Sequence, residues 1–333
     1  MDVICRRGAP IAGRSVRHIG IVRLNSRPVG LPPRKNVFKR GRIYISLLAL
    51  PFVVLFVAMS YVPIFGWAYA FVNFKPGIPF SQSPFVGLKF FQLMFFYAED
   101  LLRVLRNTLV MSGLGLICSP LPIVLAILLS ELRFKRFGKI VQTTTTLPHF
   151  VSWIIVFSLT FSMFSTEGVV NGLLINLGLI RKPLQILGNG DVVWRFQTIL
   201  GIWKSIGWSS IIYLAAIAGI DGELHDAARV DGAGRFRCIW HITVPGILPT
   251  YTVLLLLQIS NLLSVGFEQY FVFYNSLVAD KIEVIDYYVY RIGLISREYS
   301  FGTAVGMMKS IVSIALLFSV NAFSRRIRGD SII

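Results

Sequence analysis

The fold class this sequence predicts is an all-α, polytopic membrane protein, and three observations carry that prediction. Of its 333 residues, 55% are hydrophobic and only 15% charged, against about a quarter charged in an ordinary soluble domain; the mean hydropathy is +0.68. The apolar residues gather into long unbroken runs. Lipid offers the backbone no hydrogen bonds, so such runs must be helices of about 20 residues rather than the short alternating strands of a barrel. Charge is also uneven: 33 Lys and Arg against 16 Asp and Glu give a net +17, and the basic residues cluster between particular runs.

The first 42 residues read as a basic cytoplasmic tail. They carry Arg6, Arg7, Arg14, Arg17, Arg23, Arg27, Arg34, Lys35, Lys39, Arg40 and Arg42, are nearly free of acid, and are broken by Pro28, Pro32 and Pro33. No apolar core of the kind a cleavable signal needs precedes Ile43. Spans are expected over residues 43–64, 108–130, 140–164, 196–220, 248–265 and 302–323, so a transmembrane domain occupies 43–325 and a short tail 326–333. Pro51, Pro120, Pro122 and Pro148 fall inside these runs and predict kinks, because each frees a carbonyl that a neighbouring helix must satisfy. The fifth run is short and interrupted by Gln258, Ser260 and Asn261.

Orientation follows from the basic residues, since loops rich in Lys and Arg stay cytoplasmic. Placing both termini inside puts the N-terminal tail, Arg133, Lys135, Arg136, Lys139, Arg229, Arg235, Arg237, Arg325, Arg326 and Arg328 on one side, and leaves the outer loops nearly balanced in charge. A multi-pass protein of a bacterial cytoplasmic (inner) membrane is expected, with both termini and the loop 221–247 in the cytoplasm. A basic excess also suits nucleic-acid phosphates. Here it flanks spans, where it orients helices and meets anionic lipid headgroups, each contact worth about 1 kcal/mol near the surface. Membrane lipid, and no nucleic acid, is the expected partner.

Motifs for chemistry are absent from the sequence. His18, His149, His225 and His241 are scattered, with no His-Glu-x-x-His pair and no Gly-x-Ser-x-Gly elbow. Cys5, Cys118 and Cys238 all avoid the outer side, so no disulfide or metal site is expected. There is no Gly-x-x-x-x-Gly-Lys-Ser/Thr phosphate loop, so ATP, if it drives this protein, must be held by another subunit. No catalytic residue and no cofactor bound by this chain is predicted.

The loop 221–247 is the most informative segment. It contains Glu223, Asp226, Ala227, Ala228, Asp231, Gly232, Ala233 and Arg235 in a polar helical pattern, then Ile242, Pro245 and Pro249 at the entry to the fifth run. Small Ala side chains permit close approach of a partner surface, and Gly232 lets the backbone turn. A short helix projecting from the membrane can serve as a rigid lever docked in a partner's groove. On the residues alone, an ordinary polar connector between spans is an equal reading.

Resemblance separates the two. The run Asp226-Ala227-Ala228, Asp231-Gly232-Ala233, Ile242, Pro245 resembles the Glu-Ala-Ala…Asp-Gly-Ala…Ile…Pro motif of permeases of binding-protein-dependent ATP-binding cassette (ABC) importers, with Asp226 where Glu is usual. Further stretches resemble the branch that serves oligosaccharides and polysaccharides, the alginate-type permeases included. They are Arg106-Asn107-Thr108-Leu109, Leu147-Pro148-His149-Phe150-Val151-Ser152-Trp153, Ile202-Trp203-Lys204, Tyr213-Leu214-Ala215-Ala216, Gly266-Phe267-Glu268-Gln269 and Tyr288-Val289-Tyr290-Arg291-Ile292-Gly293. The resemblance implies a six-helix type I ABC importer permease fold, with 221–247 as the loop coupled to the ATPase. It also implies a second homologous permease subunit, two ATP-binding cassette subunits holding ATP and Mg, an extracytoplasmic solute-binding protein, and a sugar carried by alternating access.

Residues for the substrate pathway are expected at polar positions within spans, because such groups face a bundle interior or cavity. Gln258, Ser260 and Asn261 fit that rule. Trp153 and Phe157 belong to an aromatic stripe with Phe150 and Phe161 at helical spacing. Glu268 and Tyr270, in and beside the Gly266 motif, complete the set. Lys204 and Lys309 lie in or near spans and read either as pathway cations or as structurally paired charges. Gly302 and Gly306 form a small-xxx-small pair suited to close helix crossing. The rival class is a self-contained ion-coupled carrier or channel. Its mark would be a carboxylate inside a span, and none of the 16 acidic residues lies well inside one.

Overall fold

The computed structural model describes residues 37–328, in two units divided between residues 60 and 61. Cys5, most of the expected basic tail and the residues beyond 328 lie outside the described residues. The first unit holds nearly all of α1 (Val37–Tyr61). This helix begins inside the expected tail, because Lys and Arg are good helix formers and the helix need not end where apolarity does. Pro51 is accommodated within it, and Leu48, Phe52 and Met59 are exposed, as lipid-facing side chains are.

The second unit continues through 3-10 turns at Val62–Phe71 and Phe80–Gln82 and the short α2 (Lys89–Phe96). The remaining helices are α3 (Ala98–Ile117), α4 (Leu121–Ser130), α5 (Lys135–Thr146), α6 (Trp153–Phe164), α7 (Val169–Asn176), α8 (Gly190–Ala218), α9 (Gly222–Val230), α10 (Arg235–Cys238), α11 (Val244–Ser260), α12 (Glu268–Phe273), α13 (Ala279–Ile282), α14 (Ile285–Tyr290) and α15 (Tyr299–Arg328). Among the described residues there is no strand, only one isolated bridge between Val72 and Phe85. Among the described residues, six segments are long and apolar enough to cross a membrane: Ser46–Phe71, Ala98–Ser130, Trp153–Asn176, Gly190–Ala218, Arg235–Ser260 and Tyr299–Ala322. No more than 17% of any of their apolar windows is buried, which suits helices whose solvent is lipid rather than water.

The helices differ from the apolar runs in instructive ways. The second span starts at Ala98 rather than 108, because Glu99 and Asp100 in its first turn favour a helix N-terminus although they are not apolar. It kinks at Cys118, where Pro120 and Pro122 start α4. The expected span 140–164 is broken: Pro148 sits in a 3-10 turn at Leu147–Phe150, and Ser152 caps α6 by accepting from the Ile155 N–H at 3.4 Å. The crossing then continues into α7. The fifth span begins at Arg235, well before 248, running through α10, a π-helical turn at Ile239–Thr243 and α11. Pro245 sits where the π-helical turn passes into α11, so a proline that reads as a boundary lies inside the span. The projecting loop is accordingly shorter than 221–247, and Ile242 and Pro245 belong to the span.

The segment between the fifth and sixth spans organises the core. Ile285 and Tyr288 pack with Ala70, Phe90, Val104 and Phe301, while Ile282, Val284 and Tyr287 pack with Met111, Val193, Tyr270 and Phe273. Asn107, fully buried, donates to the Asp280 and Glu283 carbonyls at 2.9 and 3.0 Å. Thr108 Oγ1 accepts from the Ile285 N–H at 3.0 Å. Buried Glu283 accepts from Arg103 at 3.2 Å and Arg291 at 2.5 Å. Burial works against the Arg291 charge, but the hydrogen bond and charge of Glu283 outweigh it and hold the guanidinium above its usual pKa. Two glycines permit close crossings. A Cβ on Gly207 of α8 would run into the Thr145 carbonyl of α5, and one on Gly302 would meet Gly293 at 2.7 Å.

Candidate functional site: a polar cavity and an exposed loop

A cavity of about 480 Å³ opens between α3, α4, α8, α11 and the start of α12. Helix α8 supplies one wall from Gln197, Gly201, Ser205, Ser209 and Tyr213, and the facing walls bring Ser112, Ser119, Tyr251, Gln258, Asn261, Gln269 and Tyr270. Every lining residue is uncharged. Part of this polar surface is fixed by the fold: the Gln269 amide donates to the Gln197 carbonyl and side-chain oxygens at 2.9 and 2.8 Å, and Ser119 and Tyr251 share a bond at 3.0 Å. Ser112 Oγ donates to the Leu262 carbonyl. Gln258, by contrast, makes no side-chain hydrogen bond among the described residues, leaving its amide available to a ligand. Hydroxyls and amides over apolar walls suit a polyhydroxylated, uncharged surface.

The structure brings three of the expected pathway residues together here, namely Gln258, Asn261 and Tyr270. Ser260 points elsewhere; it is buried and bonds back to the Leu256 carbonyl at 2.9 Å. Glu268 is exposed and outside the lining. Trp153 and Phe157 pack edge-on against Phe273, with centroids 6.5 and 5.1 Å apart, because the face of α6 that carries them meets α12. They buttress the wall rather than form it. Lys204 donates to the His149 carbonyl at 2.7 Å, tying α8 to the break in the third span, and Lys309 pairs with Asp286. Neither lysine lines the cavity. The α8 wall was legible: Gln197, Gly201, Ser205, Ser209 and Tyr213 recur every four residues, one face of a helix. Ser112, Ser119 and Tyr251 carry no comparable signal, being single hydroxyls in apolar runs.

The exposed loop is a built element. Asp221 caps α9 by accepting from the Glu223 N–H at 3.0 Å, and Asp226 pairs with Arg229 at 3.1 Å on its surface. Gly232 adopts φ +77°, a conformation side chains resist, and the chain turns there as the Ala233 N–H donates to Ala228 at 2.9 Å. Ala227, Asp231 and Arg235 are exposed, while Ala228 and Ala233 are half-buried. His225 meets Thr243 at 3.4 Å, linking α9 to the fifth span. Sequence reasoning missed the apolar tips of this region: Val230, Phe236 and Trp240 are 88%, 90% and 71% exposed. Val230 stands on the projecting loop, while Phe236 and Trp240 lie in the first turns of the fifth span.

Residues 118–329 match the family of binding-protein-dependent transport system inner membrane components. The chain belongs to that family. This permease is 40% identical over 285 residues to Protein LplB of Bacillus subtilis (strain 168), covering 85% of this chain and 89% of that one. It is 38% identical over 291 residues to the polygalacturonan/rhamnogalacturonan transport system permease protein YteP of the same organism, covering 87% and 90%. In fold it is similar to a chain in the crystal structure of a bacterial ABC transporter involved in the import of the acidic polysaccharide alginate. The TM-score is 0.78 and the identity 36%, over 88% of this permease and 98% of that chain. The complex of the bacterial alginate ABC transporter with an alginate pentasaccharide-bound periplasmic protein gives a TM-score of 0.77 at 36% identity, over 89% and 98%. The permease is thus a multi-pass inner-membrane subunit of an ABC importer, with the six-helix type I permease fold.

Proposed function

We propose that this permease forms, with a second homologous permease subunit, the translocation pathway for an oligosaccharide derived from an acidic polysaccharide. The observation that carries the saccharide reading is the cavity of about 480 Å³ with its uncharged hydroxyl and amide lining, within the range of about 300–1,000 Å³ usual for small-molecule sites; the acidic class is inferred from the relatives. Permeases of similar sequence and fold are named for polygalacturonan, rhamnogalacturonan and alginate. Both termini and α9 lie in the cytoplasm, and the loop from Asp221 to Arg235, with Val230, Phe236 and Trp240, docks on one of two ATP-binding cassette subunits that hold ATP and Mg. Closure of those subunits moves the loop and turns the cavity outward to receive sugar from an extracytoplasmic solute-binding protein; hydrolysis returns it inward. Gln258, Asn261 and Tyr270 contact sugar hydroxyls. Uptake of labelled oligogalacturonides by cells with and without the gene tests the reading. Loss of uptake on deletion, restored by the intact gene, supports it, and unchanged uptake of acidic oligosaccharides overturns it.

A further inference from the structure

An acidic sugar carries carboxylates as well as hydroxyls, and the cavity offers these no counter-charge. Cations stand one helical turn away. Helix α8 runs from Gly190 to Ala218 and on toward α9, so Trp194 lies at the end far from the coupling loop, about 36 Å from Ala218 at 1.5 Å per residue. Gln197 and Thr198, one turn along α8, line the cavity, and Thr198 Oγ1 donates back to the Trp194 carbonyl at 2.8 Å. The Arg106 guanidinium and the Lys281 ammonium both lie over the Trp194 ring, 5.8 and 4.5 Å from its centroid. The indole N–H donates to the Lys281 carbonyl at 2.6 Å, which locks the ring in place.

The charges around them are matched differently. Arg103 takes Asp100, Asp280 and Glu283, and Arg291 takes Glu283. Arg106 and Lys281 make no ion pair among the described residues. Arg106 reaches only the Asn107 side-chain oxygen and the Asp280 carbonyl, at 3.5 and 3.4 Å, so most of its donors are unused. Two cations braced on one aromatic ring, lacking a carboxylate, stand on Trp194, one turn of α8 from Thr198 in the lining of a neutral cavity built for hydroxyls. A guanidinium with free donors is suited to bind a carboxylate.

We propose that Arg106 and Lys281, positioned by Trp194, read the carboxylates of an acidic saccharide while the neutral cavity takes its hydroxyls. This rests on the function proposed above and divides recognition between two places: charge at the outer end of α3 and α8, and ring hydroxyls within.

The test measures binding of a galacturonide trimer and its methyl ester, in which each carboxylate charge is replaced by a neutral methyl-capped carboxyl, to the complete transporter in nanodiscs without binding protein. The intact complex is expected to prefer the free acid by about fivefold, the scale of two partly exposed charge pairs. The preference should vanish in R106Q/K281Q, persist in R106K/K281R, and shrink at high salt. Binding of the methyl ester should be the same in all three, which also reports an intact fold. Equal affinity for both sugars in the intact complex, or a preference unchanged in R106Q/K281Q, overturns the assignment and leaves these cations to the binding protein or to packing. Absence of binding to either form would instead sink the substrate reading on which the proposal rests.

Discussion

Phe236→Ala separates docking from folding. Phe236 is 90% exposed, so its truncation removes almost no packing within this chain, and a surface change of that kind shifts stability by no more than about 0.5 kcal/mol. If the ATPase subunit covers this ring, the same truncation gives up the burial of a Phe side chain, about 2 kcal/mol. At about 1.4 kcal/mol per factor of ten, that weakens docking about 30-fold. The assay purifies a tagged permease in detergent, dilutes it serially, and quantifies the ATPase retained alongside the melting temperature of the permease. The expected variant melts normally and loses its ATPase at much higher concentration than the unaltered chain. Retention of the ATPase at every dilution, with uptake intact, would refute the claim that this tip is a docking surface.

Three further outcomes follow from the geometry. Asn107→Ala strips the buried Glu283 carbonyl of its donor and leaves the Asp280 carbonyl with Arg106 alone, at about 1–3 kcal/mol for the unpaired group; thermal unfolding of the purified complex should drop by several degrees, and an unchanged midpoint would show that the segment between the fifth and sixth spans is held by other means. Gly232→Pro cannot reach φ +77°, since proline is confined near −65°. That variant should insert in the membrane yet fail to couple ATP hydrolysis to uptake, and normal uptake would count against the lever. Gln258→Ala should raise the KM for uptake several-fold through loss of about one hydrogen bond, while Ser260→Ala, whose hydroxyl bonds only to Leu256, should leave it unchanged; equal effects would show that the cavity does not select the sugar.

The helices were the most legible part of the sequence, because a lipid-facing helix must be apolar along its length and that leaves a long signal. Their ends were less so. Glu99, Asp100 and Arg103 extend α3 beyond its apolar run, and where Pro148 predicts a kink in the run 140–164 the helix in fact ends and starts afresh at the Ser152 cap. Prolines misled in the opposite sense at Pro245, where a residue that often bounds helices sits in a first turn. Within the site, Gln258 and Asn261 could be picked out by polarity in apolar surroundings and Tyr270 by its place beside the Gly266 motif, whereas Trp153 and Phe157 show that an aromatic stripe reports a helix face without saying what that face meets. Motif residues such as Asn107 and Lys204 prove to be structural ties between distant segments. Those pairings span long stretches of sequence, and no local pattern encodes them. The apolar tips at Val230 and Phe236 were hidden for a related reason: exposure belongs to the folded loop and not to the residue type.

The most direct test of the account is uptake of labelled oligogalacturonide into liposomes carrying this permease together with its second permease and ATPase subunits, measured with ATP and loaded binding protein each supplied or withheld. Uptake is expected only when both are present, with ATP hydrolysis rising in step. Uptake by this chain alone, indifferent to ATP and driven by an ion gradient, would contradict it.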